Sequence, residues 1–300
     1  MKPYKRRKIN GSSNGLISYI MCAPFLILFL CFVIIPILSA VFLSFTNFNL
    51  LEAPKLSGLQ NYKQLLVNDD VFVIAIKNTL IFSFITGPIG YFLSFFFAWL
   101  ISELPRRVRS VAVLAFYTPS LTGNVYFIWK YIFSGDSYGL LNGTLFKLGL
   151  ILSPIQWLTD KRYTMAVVTI VILWLSMGAG FLSFIAGFQT LNHELSESAS
   201  IDGVSNRWQE LWYVTLPQLV PQMVFAAVMS ISASFSVGYQ SMELTGFPST
   251  DYSTHTILLH MLDFGTIRYE MGYASAIAVV LFLMMLLTWA VVNKLLRKIG

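Results

Sequence analysis

Residues 194–221 read ELSESASIDGVSNRWQELWYVTLPQLVP, the most polar long run between two strongly apolar ones. Glu194 to Ile201 predicts about two helical turns, with Glu194 and Glu197 near an N-terminus whose unpaired amides and macrodipole favour negative charge. Asp202-Gly203 breaks the helix, because glycine takes a positive φ at least cost. A second helix is predicted to start at Ser205 or Asn206, with Gln209 placed to close a capping box on Asn206. Trp208, Leu211 and Trp212 fall at i, i+3 and i+4 on one face, and Leu216-Pro217 ends the helix. Helix, glycine elbow and aromatic-striped helix make a compact knob that another protein could grip. The plainer alternative is a loop that packs only on its own membrane domain.

The surroundings of the knob decide the class. Of 300 residues, 56% are hydrophobic and only 11% charged, against about 25% charged in an ordinary soluble domain. The chain therefore reads as an all-α polytopic membrane protein. Its formal charge of +6 could suggest an anionic partner, but the basic residues cluster at span ends as membrane topology demands, so no nucleic-acid role follows. Cys22 and Cys31 lie nine residues apart in one apolar run, about 13 Å along a helix, too far for a disulfide.

Six spans are expected. Residues 1–15 form a short basic tail with Lys2, Lys5, Arg6, Arg7 and Lys8. The apolar run from Leu16 to about Phe45 is too long for a signal peptide and reads as an uncleaved first span. Val71 to Leu104, about 51 Å as a straight helix, suits one tilted or kinked span with Gly87-Pro88 as the kink. A basic turn, residues 105–109, leads to a third run, Ser110 to Phe133, interrupted by Pro119. Leu140–Leu152 is expected as a short interfacial helix with Trp157 as an anchor. Lys161–Thr190 is the fourth span, Gln222–Thr245 the fifth and Tyr273–Val292 the last. Gly178, Gly180 and Ala227 allow close helix approach, either to a second chain or within this one. Lys and Arg number five, three, one and three in the segments assigned to the cytoplasm, against six in the external loops, which places both termini in the cytoplasm.

No chemistry stands out. There is no G-x-x-x-x-G-K-[ST] loop, no Cys/His cluster with metal spacing and no G-x-S-x-G elbow, so no catalytic or metal residue is assigned. His255 and His260, five apart, would not share a helix face. The spans hold almost no ionisable group beyond Lys77 and Lys130, near external ends, which argues against an ion-coupled secondary transporter or an intramembrane enzyme.

Glu197-Ser198-Ala199, then Asp202-Gly203, then Val214-Thr215-Leu216-Pro217 resembles the "EAA" loop of bacterial ABC importer permeases, within the carbohydrate-uptake group related to the maltose and glycerol-3-phosphate importers. Ser198 replaces the motif's first alanine, and ten residues separate Gly203 from Val214 where nine are common. The chain looks like the maltose-F type without that type's extra spans and large external domain. The resemblance implies a type I ABC importer permease fold for residues 16–300, with 191–221 as a coupling loop. It implies that Glu194, Glu197, Ala199, Asp202, Gly203, Arg207, Trp208, Leu216 and Pro217 engage an ATPase. The assembly it implies comprises a second permease subunit, a pair of ATPase subunits that bind ATP and Mg, and an external solute-binding protein, in the bacterial plasma membrane and its lipid. No cofactor is expected on this chain. Sugars are held by hydrogen bonds and aromatic faces, so Asn124, Tyr126, Trp129, Ser234, Tyr239, Gln240 and Glu243 are the candidates for a carbohydrate path. Each of these could equally bond its own helix or join the interfacial aromatic belt.

Overall fold

The computed structural model describes residues 11–123 and 125–296 and is helical, with no strand among the described residues. The first span comprises α1 (Gly11–Phe29), a π turn (Leu30–Ile34) and α2 (Ile35–Leu43). From Tyr19 its most apolar stretch buries nothing against the rest of the chain, and only α2 leans on the last helix. α3 (Gln60–Val67) is a short helix ahead of α4 (Asp70–Ser102), which is one unbroken helix of 33 residues with Pro88 inside it. Asp69 caps α4 by accepting from the Phe72 amide at 2.9 Å.

α5 (Arg106–Leu121) carries Pro119 within it and ends two residues beyond, where Thr122 turns extended. It is sharply bent against α6 (Tyr126–Ile132). α8 (Lys161–Trp174) and α9 (Ala179–Gln189) are two pieces of the fourth span. The knob carries α10 (His193–Ile201), α11 (Arg207–Glu210) and α12 (Leu216–Gln218). It is followed by α13 (Val220–Phe235), α14 (Tyr239–Thr245), α15 (Ile257–Leu262) and α16 (Met271–Leu296). Four helices are long and apolar enough to cross a membrane, and two bent pairs bring the number to six if each is one span.

α4, α9 and α13 pack on one another to form the centre, and α16 closes against α13 and α15. Small residues set their approach. A Cβ on Gly90 would lie 2.9 Å from Ser176 Cβ, and one on Gly180 would lie 3.4 Å from Ala226 Cα. Gly180 thus serves contact within this chain, and Ala227 is buried here as well. Ser230 donates its hydroxyl across to the Gly87 carbonyl at 2.8 Å, joining α13 to α4 beside Pro88.

Three expectations change in the external segments. The interfacial helix is shorter, α7 (Leu140–Lys147), and turns off at Gly149 with φ of +68°. Trp157 folds inward instead of anchoring outward, donating its indole N–H to Asn142 Oδ1 at 2.9 Å. His255 and His260 do meet, with Nε2 and Nδ1 at 3.3 Å, because His255 sits in the turn ahead of α15 and not on a shared helix. Among the described residues no group of three or more His, Cys, Asp or Glu is arranged to hold a metal.

Asn142 is fully buried and organises the external cap. Its amide donates to the carbonyls of Ser134, Asp136 and Ile155 at 3.1–3.2 Å and accepts from the Ile155 amide and Trp157. Asn142→Ala should orphan these groups at about 1–3 kcal/mol each where they stay dry. Hydrogen exchange of residues 134–157 should rise sharply while that of α4 and α13 is unchanged. Equal protection in variant and parent would assign the cap's order to other contacts.

Candidate functional site

The knob is built as two capped helices on a glycine hinge. Asn192 Oδ1 accepts from the Glu194 amide at 3.0 Å, so α10 starts at His193, one residue earlier than its sequence suggests. Its end closes with the Val204 amide on the Ala199 carbonyl at 3.0 Å, and Gly203 takes φ of +100°. No atom lies within 4 Å of where a Gly203 Cβ would stand, so its requirement is conformational and not steric crowding. Asn206 caps α11 by accepting from the Gln209 amide at 2.8 Å, but Gln209 Oε1 reaches back to the Ser205 amide at 3.0 Å and not to Asn206.

The second helix of the knob differs from expectation in two respects. It does not stop at Leu216-Pro217: Pro217 opens the last piece, α12, whose missing N–H costs nothing at that position, and the chain bends by 80° at Leu219 before α13. Between α11 and α12, Leu211–Thr215 forms a π turn. A π turn spends one residue more than an α turn, and this one begins within the interval from Gly203 to Val214 and runs on through Thr215. The turn also rotates the aromatic stripe apart. Leu211 is 5% exposed, whereas Trp208, Trp212 and Tyr213 are 67–69% exposed.

The root of the knob is held by its own subunit. Arg207 pairs with Glu103 at the end of α4, and Trp208 packs on Trp99 with ring centres 5.1 Å apart. Gln218 ties the two ends of the loop, accepting from the Asn192 amide at 3.0 Å while donating to the Val214 carbonyl at 3.1 Å. Glu194, Glu197 and Asp202 stand exposed on the outer end, with Ala199 half-buried. Glu103 and Gln218 hold this arrangement together and were not singled out from the sequence. Only their distance in the chain from Arg207 and Asn192 hid them.

The path candidates divide between two cavities. A central cavity of about 140 Å³ lies among α4, α8, α9, α13 and α14, with Ser234 and Gln240 in its wall together with Thr86, Tyr91, Ser94 and Ser176. Both the fourth and the fifth spans break beside it, at residues 175–178 and 236–238. Irregular backbone at membrane depth is tolerated where it lines such a cavity. Ser234 donates to its own Ile231 carbonyl at 2.9 Å, the local bond that its sequence position allowed. Nearer the outside, Tyr126, Tyr239 and Glu243 line a second opening with Lys130, whose ammonium is 3.2 Å from Glu243. The Tyr126 and Tyr239 rings meet edge to face at 5.7 Å. Trp129 is not at either opening. It is partly buried and packs between Phe133 and Trp174 against the core. Asn124 lies outside the described residues.

Comparison with known proteins agrees with this geometry. Residues 88–300 match the family model for the inner membrane component of binding-protein-dependent transport systems. The chain is 32% identical to the probable ABC transporter permease protein YesP of Bacillus subtilis over 88% of this chain and 85% of that one. It is 31% identical to the arabinooligosaccharides transport system permease protein AraP of the same organism, over 92% of this chain and 87% of that one. In fold it resembles a chain of the bacterial alginate ABC transporter crystallised with an alginate pentasaccharide-bound periplasmic protein, with a TM-score of 0.76 at 22% identity and 98% of both chains covered. Those matches span the knob, both cavities and the helices that carry them, and this chain belongs to the family of binding-protein-dependent transport system inner membrane components.

Proposed function

We propose that the chain is the permease subunit of an ATP-driven, binding-protein-dependent importer of carbohydrate, an oligosaccharide or glycoside. In this reading the four long helices, α5 with α6, and α13 with α14 supply six spans, with both termini and residues 191–221 in the cytoplasm. The knob docks in a cleft of a separate ATPase, a second permease chain completes the pore, and an external binding protein delivers the sugar. The observation that carries the reading is the knob: a Gly203-hinged pair of capped helices, rooted on α4 through Glu103, that presents Trp212, Tyr213 and three carboxylates away from its own subunit. A loop that merely packed on its own domain would bury that surface. An acidic rim suits a basic docking cleft. The sugar assignment is supported by the transport name of the arabinooligosaccharide relative and by a central cavity walled with hydroxyls, an amide and an aromatic face.

Coupling in this scheme needs Gly203 to hold its positive φ. Gly203→Val should cost about 1–2 kcal/mol in the elbow and lower uptake without lowering the amount of subunit in the membrane. Uptake equal to the parent would remove the elbow from coupling.

Side chains of the second knob helix should separate by role. Trp212→Ala and Tyr213→Ala should weaken co-purification of the ATPase and leave the thermal stability of the subunit alone. Leu211→Ala, a buried truncation, should destabilise the subunit by about 2–5 kcal/mol. An unchanged ATPase yield from the double Trp212/Tyr213 variant would place docking elsewhere.

At the cavities, Tyr239→Ala and Gln240→Ala should each reduce uptake of labelled oligosaccharide by roughly two- to tenfold, the equivalent of one hydrogen bond of about 0.5–1.5 kcal/mol. Unchanged uptake by both would exclude α14 from the path.

A further inference from the structure

The segment between α14 and α16 is held by a chain of hydrogen bonds whose protons can be placed one after another. Asp69 caps α4 through Oδ1, and its Oδ2 lies 2.8 Å from the Tyr273 hydroxyl and 3.0 Å from His260 Nε2. Burial pushes the Asp69 carboxyl up, but the Phe72 amide, the Tyr273 hydroxyl and His260 together hold it below the usual carboxylate range. An ionised carboxylate only accepts, so Tyr273 and His260 Nε2 both carry the hydrogen. His260 Nδ1 is then the bare nitrogen of a neutral ring, and His255 Nε2, 3.3 Å away, donates to it. That leaves His255 Nδ1 bare, buried and without a hydrogen-bond partner. Both rings are 2% exposed. The His255 ring is stacked on Phe247 at 5.8 Å and meets the edge of Tyr252 at 5.3 Å, an aromatic surround in which Nδ1 has no hydrogen-bond partner.

We propose that His255 is a proton sensor, and that protonation of its Nδ1 unlatches the segment 246–269 from the ends of α4 and α16 where Asp69 and Tyr273 sit. The groups that face the pair are few. Asp69 precedes α4, Tyr273 lies on α16, and Asp263, Arg268 and Glu270 follow α15, with Asp263 and Arg268 paired at 2.7 Å. Within the segment Tyr252 touches His255, and Asp251 is paired outward with Lys161. Burial pushes the His255 imidazole down to about 4, with His260 adding to the effect and the two aspartates opposing it. Burial also lowers His260, against the opposing Asp69. An exposed histidine takes its proton near 6.5, and the latched one holds off until about 4. As the pH falls through that window the open form binds the proton first, so the latch weakens by about tenfold per pH unit and no further below it.

Opening would reach the central cavity through α14. Thr256 donates its hydroxyl to the Val237 carbonyl at 2.6 Å, and Ser241 donates to the Thr254 carbonyl at 2.8 Å. Asn78 on α4 donates to the carbonyls of Tyr252 and His255 at 2.9 Å each, so the same segment bridges α4 and the helix that carries Tyr239 and Gln240. The side of the membrane on which the proton is sensed rests on the proposed topology, but the latch does not.

The test uses the full chain in lipid nanodiscs and needs no transport substrate. In the parent labelled with 15N-histidine, NMR should show two of the three histidines neutral with the hydrogen on Nε2 at neutral pH, one of them charging only near pH 4. A second charged ring at neutral pH, or hydrogen on Nδ1 of either buried ring, would overturn the assignment. His255→Gln keeps an N–H for His260 and has no titratable nitrogen. Hydrogen exchange of residues 246–269, corrected for intrinsic rate, should rise at least about tenfold in the parent from pH 6.5 toward 4 and stay flat in H255Q. An equal rise in both, or none in the parent, would dispose of the sensor. If H255Q does not fold, the parent's NMR titration decides alone. Neither failure bears on the permease reading, which the knob carries.

Discussion

Every backbone amide and carbonyl within a hydrocarbon layer must find its partner inside the protein, and this demand shapes most of the molecule. It favours α4 as an unbroken helix of 33 residues even through Pro88, beside which Ser230 of α13 donates its hydroxyl to the Gly87 carbonyl and ties the two helices together. It also explains where the helices are allowed to fail. The helical runs ending at Trp174 and Phe235 each break against a glycine, Gly178 and Gly238, and both breaks adjoin one cavity whose largely apolar wall carries a few hydroxyls and an amide. A permeation route through a membrane needs polar groups within it. Broken spans provide them from the backbone as well as from Ser176 and Gln240.

The same economy appears in the knob, with water on one side. Two short helices of this kind would not be stable alone. They are held because each end is capped by a side chain, Asn192 for α10 and Asn206 for α11, and because the second helix buries Leu211 on its own subunit. Gln218 then closes the loop on itself, and Arg207 fixes it to α4 through Glu103. A rigid root and an exposed tip are what a lever between two subunits requires. In the proposed coupling, the 80° bend at Leu219 would pass a displacement of that lever into α13, one wall of the central cavity.

At the opposite end, α14 is the element shared by everything of functional interest. It carries Tyr239 and Glu243 at the outer opening and Gln240 at the central cavity, and it is stitched by Ser241 and Thr245 to the segment that holds the two histidines. The outer opening keeps a single ion pair, Lys130 with Glu243, both partly exposed, so its net charge is small and its strength is that of a surface pair.

Composition and periodicity alone determined that this is a helical membrane protein and that residues 194–221 form a capped helix, a positive-φ glycine and a second capped helix. These features are local: apolar run length, cap residues and glycine act over a few positions, and the chain states them directly. Tertiary structure alone decided what lies far apart in sequence. Glu103 reached Arg207, Trp129 packed against a core cluster, and Ser94 and Ser176 joined Gln240 around one cavity. The π turn at Leu211–Thr215, and the burial of Leu211 while Trp208 and Trp212 stay exposed, are features that a fixed period of 3.6 could not foresee. The meeting of His255 with His260 and Asp69 was likewise invisible, because a helix-face rule applies only to residues on one helix. Here a turn, a capping carboxylate and a tyrosine 204 positions further on supplied the geometry.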